Sequence, residues 1–183
     1  MSITPQHAME VWESADCCYT QAQVQQTIER MAQEISRDYH DKNPLMLCVM
    51  NGGLIFTAEL LLRLPFPLQY DYIHATRYAG KTRGGELNWV AESGISLQDR
   101  HVLIIDDIND EGLTLAAIVK HCKEKNPLSV KTVVLVDKQH DRKQGAPADY
   151  VGLSVEDRYV FGYGMDYKGY LRNAPGIFAV KDS

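Results

Sequence analysis

Residues 102–115 read Val-Leu-Ile-Ile-Asp-Asp-Ile-Asn-Asp-Glu-Gly-Leu-Thr-Leu, and they contain the most informative pattern of the chain. Four consecutive aliphatic residues, Val102 to Ile105, predict a strand that is buried on both faces. Two adjacent carboxylates follow at its end, and the polar turn after them contains Gly112. A helical pattern then begins at Thr114, with apolar side chains at positions 115, 118, 119 and 122 on one face.

A strand, a glycine turn and a helix in this order form an anion site. The backbone N–H groups of the turn and the first helical turn point at one spot, where the helix dipole also favours negative charge. Asp106 and Asp107 beside that spot make sense with a divalent cation, since Mg²⁺ is usually held by one or two carboxylates plus substrate phosphates. The structural alternative is that Asp and Gly merely form the turn. The chain has no GxxxxGK[ST] motif, which excludes the ordinary NTPase loop.

The composition describes one ordinary globular domain over residues 1–183, with 45% apolar and 23% charged residues. A net charge of -5 argues against bulk binding of nucleic acid. The sequence shows neither a signal peptide nor an apolar run near membrane-spanning length, so we expect a cytoplasmic protein. Cys48 and Cys122 lie in apolar patterns and are expected to be buried thiols, whereas Cys17 and Cys18 lack metal-site spacing.

Aliphatic strands alternate with helices along the chain and predict a parallel α/β sheet, after an irregular segment at 1–19. The expected elements are a helix from Thr20 to about Tyr39, strands at Leu45–Met50, Leu68–Thr76 and Val130–Val136, and a helix from Leu54 to about Leu64. Ligands of such sheets gather at the carboxyl ends of the strands. Asn51-Gly52-Gly53, Asp106-Asp107 and Asp137-Lys138 are expected to meet there.

Three segments depart from the pattern of alternating strands and helices, and the first of them has two open interpretations. Residues 77–86 are polar, basic and rich in glycine, which fits either a mobile active-site lid or a solvated hairpin tip with Leu87 to Val90 as the return strand. His140 to Lys143 form a charged turn that is most simply solvated. Residues 159–167 contain too many glycines and aromatics for a plain helix or strand.

Asp106-Asp107 followed by Asp110 to Thr114 resembles the phosphoribosyl diphosphate (PRPP) signature of the type I phosphoribosyltransferases. The resemblance extends from about Leu45 to Val180. Its further motifs are Val49–Gly53, Arg77-Tyr78, Asp137-Lys138, and Tyr159–Tyr167 with Arg172. The last of these is similar to the 6-oxopurine branch, the hypoxanthine-guanine phosphoribosyltransferases of the bacterial kind. The implied fold is a parallel α/β sheet with a small hood formed by the terminal segments and a mobile loop that starts at Arg77 and Tyr78.

The resemblance implies a site for PRPP at the central turn. The implied PRPP-binding residues are Asp106, Asp107, Asp110, Glu111, Gly112, Leu113 and Thr114, with the 5′-phosphate on the backbone N–H groups of 110–114. Glu111 replaces the Thr or Ser of most relatives, so only its N–H is expected to serve the phosphate. Asn51 and Gly52 would bind pyrophosphate together with Arg172, after a Met50–Asn51 peptide that is often cis in the family. Asp106 and Asp107 would bind one Mg²⁺, and Asp166 a second.

The resemblance also implies a purine site built from Lys138, Tyr159, Val160 and Asp166. The base would stack on Tyr159, and Lys138 would donate to its O6 atom. Adenine presents a donor at that position and should be rejected. Asp110, near purine N7, is the implied general base for transfer of the phosphoribosyl group to N9 of hypoxanthine or guanine.

Two alternatives remain open from the sequence. One is a PRPP-sensing regulator of the same fold that binds nucleic acid, which the acidic balance disfavours. The other is an enzyme that prefers xanthine, because the sequence does not separate xanthine from hypoxanthine and guanine. The implied partners are PRPP and a 6-oxopurine, in a homodimer or homotetramer, without nucleic acid or membrane.

Overall fold

The computed structural model describes residues 3–77 and 87–181. The helices are α1 (Pro5–Ser14), α2 (Gln21–Tyr39), α3 (Leu54–Leu61) and α4 (Leu113–Lys123). The strands are β1 (Asp16–Thr20), β2 (Leu45–Met50), β3 (Gln69–Arg77), β4 (Leu87–Ala91), β5 (His101–Asn109), β6 (Ser129–Lys138), β7 (Tyr150–Val155), β8 (Val160–Phe161) and β9 (Gly176–Ala179).

A six-stranded sheet with the order β4-β3-β2-β5-β6-β7 forms the centre of the protein. Strands β3, β2, β5, β6 and β7 pair in parallel, and only the edge strand β4 is antiparallel to its neighbour. The predicted parallel α/β sheet is therefore confirmed. Strand β5 continues beyond the predicted end at Ile105, because it still pairs with β6 at Asn109. Asp106 and Asp107 thus lie within the second half of the strand, not after it.

Helices cover both faces of this sheet. Helix α2 begins with a capping box at Thr20: the Gln23 N–H donates to the Thr20 hydroxyl, and the Gln23 side chain accepts from the Thr20 N–H. Its buried stripe, which includes Ile28 and Ile35, packs with α3 on one face. Helix α4 packs on the other face through Leu115, Ile118 and Cys122. A fully buried aliphatic side chain contributes roughly 1.5–3 kcal/mol, so these stripes fix the helices to the sheet.

The terminal segments form a hood over one end of the sheet. The prediction of an irregular segment at 1–19 is wrong, because its described part contains α1 and most of β1. Strand β1 pairs antiparallel with β9, and β9 pairs with β8. The partner of β1 lies near the other end of the chain, so no local pattern reveals it. Helix α1 contributes Ala8 to a small core with Phe161 and Leu171.

The hairpin of β3 and β4 supplies the predicted return strand at Leu87. The lid interpretation concerns residues 77–86. Arg77 is the last residue of β3, whereas Tyr78 and the residues up to 86 lie outside the described residues. The thiols of Cys48 and Cys122 are buried, as predicted. Among residues 3–77 and 87–181, no helix has the length and apolar character to cross a bilayer.

Candidate active site

A cavity of about 560 Å³ opens at the carboxyl edge of the sheet. It is lined by the ends of β2, β3 and β5, by the first turn of α4, and by two hood residues. The lining includes Asn51, Gly52, His74, Ala75, Thr76, Asp106, Asp107, Asp110, Glu111, Gly112, Thr114, Asp166 and Arg172. The structure therefore brings together the predicted PRPP and pyrophosphate residues with one exception. Leu113 does not line the cavity, and its side chain is exposed at the start of α4.

The turn after β2 packs directly against the carboxylates of β5. The Met50–Asn51 peptide is cis, as in the family that the sequence resembles. A Cβ atom at Gly52 would overlap the carboxylate of Asp107, so only glycine fits at this position. A Cβ at Gly53 would come within 2.8 Å of the carbonyl oxygens of Val49 and Ile105. This glycine pair lets the predicted pyrophosphate loop lie against Asp107.

Asp106 and Asp107 are buried, with 8% and 7% of their surface exposed. The Asp107 N–H donates to Asp106 Oδ1 and the Ile108 N–H donates to Asp107 Oδ1, both at 2.9 Å. Burial, and then the neighbouring Asp107 carboxylate, raise the pKa of Asp106 well above its usual value. Burial also raises the pKa of Asp107, although the Arg172 guanidinium acts in the opposite direction.

Two buried carboxylates that repel each other suit a divalent cation. Over the described ranges, no three His, Cys, Asp or Glu side chains converge into a ligand cluster, so substrate oxygens or water would complete the coordination. The third predicted metal ligand lies apart from this pair: Asp166 Oδ1 is 2.8 Å from Arg172 Nη2, and Asp166 Oδ2 accepts from the Gly169 N–H.

The turn between β5 and α4 has the shape of an anion cradle. Gly112 has a φ of 85° and is the N-cap residue of α4. A Cβ at Gly112 would be 3.1 Å from Gly145, so the turn after β6 packs on the cradle. The Gln144 N–H donates to the Glu111 carbonyl oxygen at 2.9 Å. This contact fixes the peptide before Gly112.

A second cavity, of about 270 Å³, adjoins the first. It is lined by Asp107, Ile108, Asp110, Lys138, Tyr159, Val160, Met165 and Asp166, which include the whole predicted purine set. Asp107, Ile108, Asp110 and Asp166 line both cavities. The Tyr159 ring is half exposed and meets Tyr167 edge-on, so one face is open to a flat ligand.

Asp110 stands between the cavities with both carboxylate oxygens engaged. Lys138 Nζ donates to Oδ2 at 2.9 Å, and His140 Nε2 lies 2.7 Å from Oδ1. Partial burial acts to raise the pKa of Asp110, but the hydrogen bonds from Lys138 and His140 outweigh it and the pKa is lowered. Asp110 is therefore a carboxylate at neutral pH. The predicted base and the predicted O6 donor therefore contact each other directly.

The turn after β6 contains two site residues that the sequence interpretation missed. We predicted a solvated turn at 140–143, which is wrong for His140, whose side chain is only 3% exposed. It is also wrong for Lys143, whose Nζ donates to the Asn109 carbonyl oxygen and to Asp137 Oδ1. The available signal was a basic turn directly after Lys138, in a protein whose central turn is acidic.

The hood joins the site through Arg172 and Gly164. Arg172 Nη1 donates to the Gly164 carbonyl oxygen at 2.6 Å, while Nη2 pairs with Asp166. Gly164 has a φ of 106°, and a Cβ there would overlap the carbonyl oxygen of Gly52. The turn of the hood that contains Gly164 therefore packs against the glycine turn after β2.

A parallel sheet with a terminal hood and a phosphate cradle after its central strand is the type I phosphoribosyltransferase fold. The chain belongs to the phosphoribosyl transferase domain family, whose model matches residues 16–168. It is 38% identical over 166 residues to hypoxanthine-guanine-xanthine phosphoribosyltransferase from Tritrichomonas foetus, covering 90% of this chain and 91% of that protein. It is 34% identical over 163 residues to hypoxanthine-guanine phosphoribosyltransferase from Bacillus subtilis, covering 88% and 91%. A solved hypoxanthine phosphoribosyltransferase from Staphylococcus aureus superposes with a TM-score of 0.86 at 30% identity, covering 91% of each chain.

Proposed function

We propose that the protein is a purine-salvage enzyme that transfers the 5-phosphoribosyl group from PRPP to N9 of hypoxanthine or guanine, forming IMP or GMP and pyrophosphate. The observation that carries this proposal is the pair of adjoining cavities with a shared wall. One has the cradle, carboxylates and guanidinium that a phosphorylated sugar needs. The other has an open aromatic face and a buried lysine. The relatives named above bear the names of such enzymes.

PRPP would occupy the larger cavity. Its 5′-phosphate would accept hydrogen bonds from the backbone N–H groups of 110–114, where the dipole of α4 favours an anion. Its pyrophosphate would lie on Asn51 and Gly52, with the Arg172 guanidinium beside it. Asp106 and Asp107 would face the ribose. These groups bind the substrate by its charges and hold C1′ in front of the smaller cavity.

Mg²⁺ is the cofactor that this donor set fits. Asp106 and Asp107 would hold the ion together with oxygens of PRPP, and Asp166 would contribute to a second ion after releasing Arg172. When bound, the ion neutralises charge on the pyrophosphate and the carboxylates. Burial raises the pKa of both Asp106 and Asp107, and a bound cation would favour their charged forms against that effect.

The purine would stack on Tyr159, with the backbone of Val160 at its pyrimidine edge. Lys138 is 9% exposed and reaches the same cavity, so its ammonium can donate to purine O6 if it leaves Asp110. Adenine carries an amino donor in place of O6 and would leave two donors facing each other. Sites built on such hydrogen bonds reject the wrong partner strongly.

Catalysis then requires one proton to move. As N9 forms its bond to C1′ and pyrophosphate leaves with the C1′–O electrons, the N7 proton of the base passes to Asp110 Oδ2. That oxygen becomes available when Lys138 turns to O6. The cationic transition state also has to be kept from water. The family resemblance assigns that task to residues 77–93, part of which lies outside the described residues.

Xanthine is the second candidate acceptor. It shares O6 with hypoxanthine and guanine and carries a further carbonyl at C2, and the relative from Tritrichomonas foetus is named for all three bases. Initial rates with hypoxanthine, guanine, xanthine and adenine, each with PRPP and Mg²⁺, test the proposal. We expect turnover of the 6-oxopurines and none of adenine. Preferential use of adenine, or no turnover of any base, would refute it.

The protein would act as a dimer or tetramer of identical chains. Tyr70 and Tyr72 are exposed on the sheet face that carries α2 and α3, in register with Met46 and Cys48. Leu54 and Leu62 of the α3 segment are exposed as well. Exposed large apolar side chains on neighbouring elements are typical of an interface, and we expect a second copy to cover them. Sedimentation equilibrium would measure the mass, and a monomer at micromolar concentration would contradict the expectation.

A further inference from the structure

His140 touches no part of either cavity, yet its ring is almost completely buried against Asp110. Its two nitrogens have different partners. Nδ1 accepts from the backbone N–H of Arg142 at 3.1 Å, and a backbone N–H can only donate. The proton of the neutral ring is therefore on Nε2, and this N–H donates to Asp110 Oδ1 at 2.7 Å. The main chain thus sets the tautomer that faces the carboxylate.

The turn that carries His140 is itself anchored to the phosphate cradle. Lys143 Nζ ties it to the Asn109 carbonyl oxygen and to Asp137. The Gln144 N–H ties it to Glu111, and Gly145 packs against Gly112. These contacts lie on both sides of Asp110 in sequence. His140 is consequently held in place relative to the loop whose carboxylate it contacts.

Lys138 and His140 both contact the Asp110 carboxylate, but only Lys138 also lines the purine cavity. Lys138 is a long flexible side chain that lines the purine cavity, and on the proposed mechanism it leaves Asp110 Oδ2 for purine O6. His140 is not among the residues that line either cavity, so a purine bound there would not compete for its N–H. Oδ1 would keep its partner while Oδ2 turns to the base.

We propose that His140 is a positioning residue for phosphoribosyl transfer, whose Nε2–H holds the Asp110 carboxylate so that Oδ2 faces N7 of the bound purine. The proposal rests on the proposed function. Without His140, the carboxylate could rotate once Lys138 leaves, and the base would meet it in unproductive orientations. Positioning of this kind acts on the chemical step and leaves binding of PRPP largely untouched.

The charged groups around Asp110 define the pH readout. Lys138 contacts Asp110 from β6, and His140 contacts it from the following turn. Glu111 is the next residue in the cradle, and Arg142 interacts electrostatically with the carboxylates of Asp110 and Glu111. Removing the His140 donor takes away one group that favours the charged form. The pKa of Asp110 should then rise, and the acid limb of kcat/KM for the purine should move to higher pH.

His140→Ala, His140→Gln and the control His101→Gln test the proposal. Gln can place an amide N–H near the position of Nε2, whereas Ala cannot. His101 is a partly buried histidine at the opposite end of β5, bonded to the Ser129 hydroxyl. We expect His140→Ala to lower kcat/KM for hypoxanthine roughly ten- to a hundredfold, as loss of a hydrogen bond to a charged group does. In His140→Ala, KM for PRPP should stay within about twofold of the parent value. In both Gln variants, kcat/KM for hypoxanthine should stay within about threefold of the parent value.

Titration of the Asp110 carboxyl carbon by ¹³C NMR, assigned with Asp110→Asn, provides a readout that needs no turnover. The expected result is a higher pKa in His140→Ala and a parent-like pKa in His140→Gln. An unchanged pH profile and titration in His140→Ala would overturn the proposal, as would equal losses in the two His140 variants. A parent that transfers to no base, with the titration shifted as expected, would refute the proposed function but leave the His140–Asp110 contact established.

Discussion

Lys138→Met is the substitution that most directly tests how the purine is read. The change keeps most of the length of the side chain and removes the ammonium that donates to Asp110 at 2.9 Å. On the proposed function it also removes the donor to purine O6. A hydrogen bond from a charged group contributes about 1.5–3 kcal/mol. At about 1.36 kcal/mol for each factor of ten, kcat/KM for hypoxanthine and guanine should fall by roughly 10- to 150-fold.

The same substitution should change the pH dependence in a defined direction. Lys138 and His140 together hold the pKa of Asp110 below its usual value against the effect of burial. Without Lys138 that pKa rises, so the acid limb of the pH profile moves to higher pH. Stability at neutral pH should barely change, because the Asp110 side chain is 45% exposed and keeps water and His140 as partners.

Spectrophotometric initial rates across pH, with hypoxanthine, guanine and adenine, measure these effects. Lys131→Met is the matched control, since Lys131 lies at the other end of β6 in an exposed pair with Asp149. It should leave the rates unchanged. The preference for 6-oxopurines over adenine should narrow in Lys138→Met only. Values of kcat/KM within about threefold of the parent for both 6-oxopurines would show that Lys138 does not read O6.

Three further predictions concern the cradle and the carboxylates. Asp110→Asn should lower kcat by roughly 10²–10⁴-fold, which is the contribution of a positioned base. PRPP binding, measured by calorimetry, should persist. A nearly unchanged kcat would show that Asp110 does not accept the proton. Excess chelator should abolish turnover, and full rates in chelator would contradict the magnesium assignment. Asp107→Ala should weaken PRPP binding more than purine binding, because Asp107 is buried beside Gly52. Glu111→Thr should lower KM for PRPP several-fold with kcat little changed. The reason is that the Glu111 carboxylate and a phosphate charge about 6 Å away repel by about 1.4 kcal/mol at an effective dielectric near 40. A large loss of kcat would show that the Glu111 carboxylate points into the site.

The central part of the fold follows from local patterns. The aliphatic run at Val102–Ile105 and the stripe of α2 each bury side chains at the spacing of their own element, so their sequences alone predict them. The site residues on β2, β5 and β6 follow as well, because parallel strands bring their carboxyl ends together. What could not be predicted depends on distant partners. Strand β1 exists because it pairs with β9, and His140 is buried because its turn packs on the cradle.

The environment of a polar side chain was the least predictable feature. A histidine in a charged turn carries no local sign of burial, since the ring is covered by a loop that precedes it by about thirty residues. The exact end of β5 was missed for a similar reason. Asp106 and Asp107 have poor strand propensity, and pairing with β6 overrides it.

The pairing of β1 with β9 has a consequence for the order in which the site assembles. It closes nearly the whole chain into one loop, whereas the cradle is formed by β5 and the helix that follows it directly. Closing a longer loop costs more chain entropy, and contacts between distant residues form late in folding. The half of the site that receives PRPP should therefore be organised before Tyr159 and Val160 complete the half that receives the base. The hood should also open more readily than the sheet in the native protein, so its amide hydrogens should exchange faster than those of β5, and base binding should be lost first as the protein is destabilised.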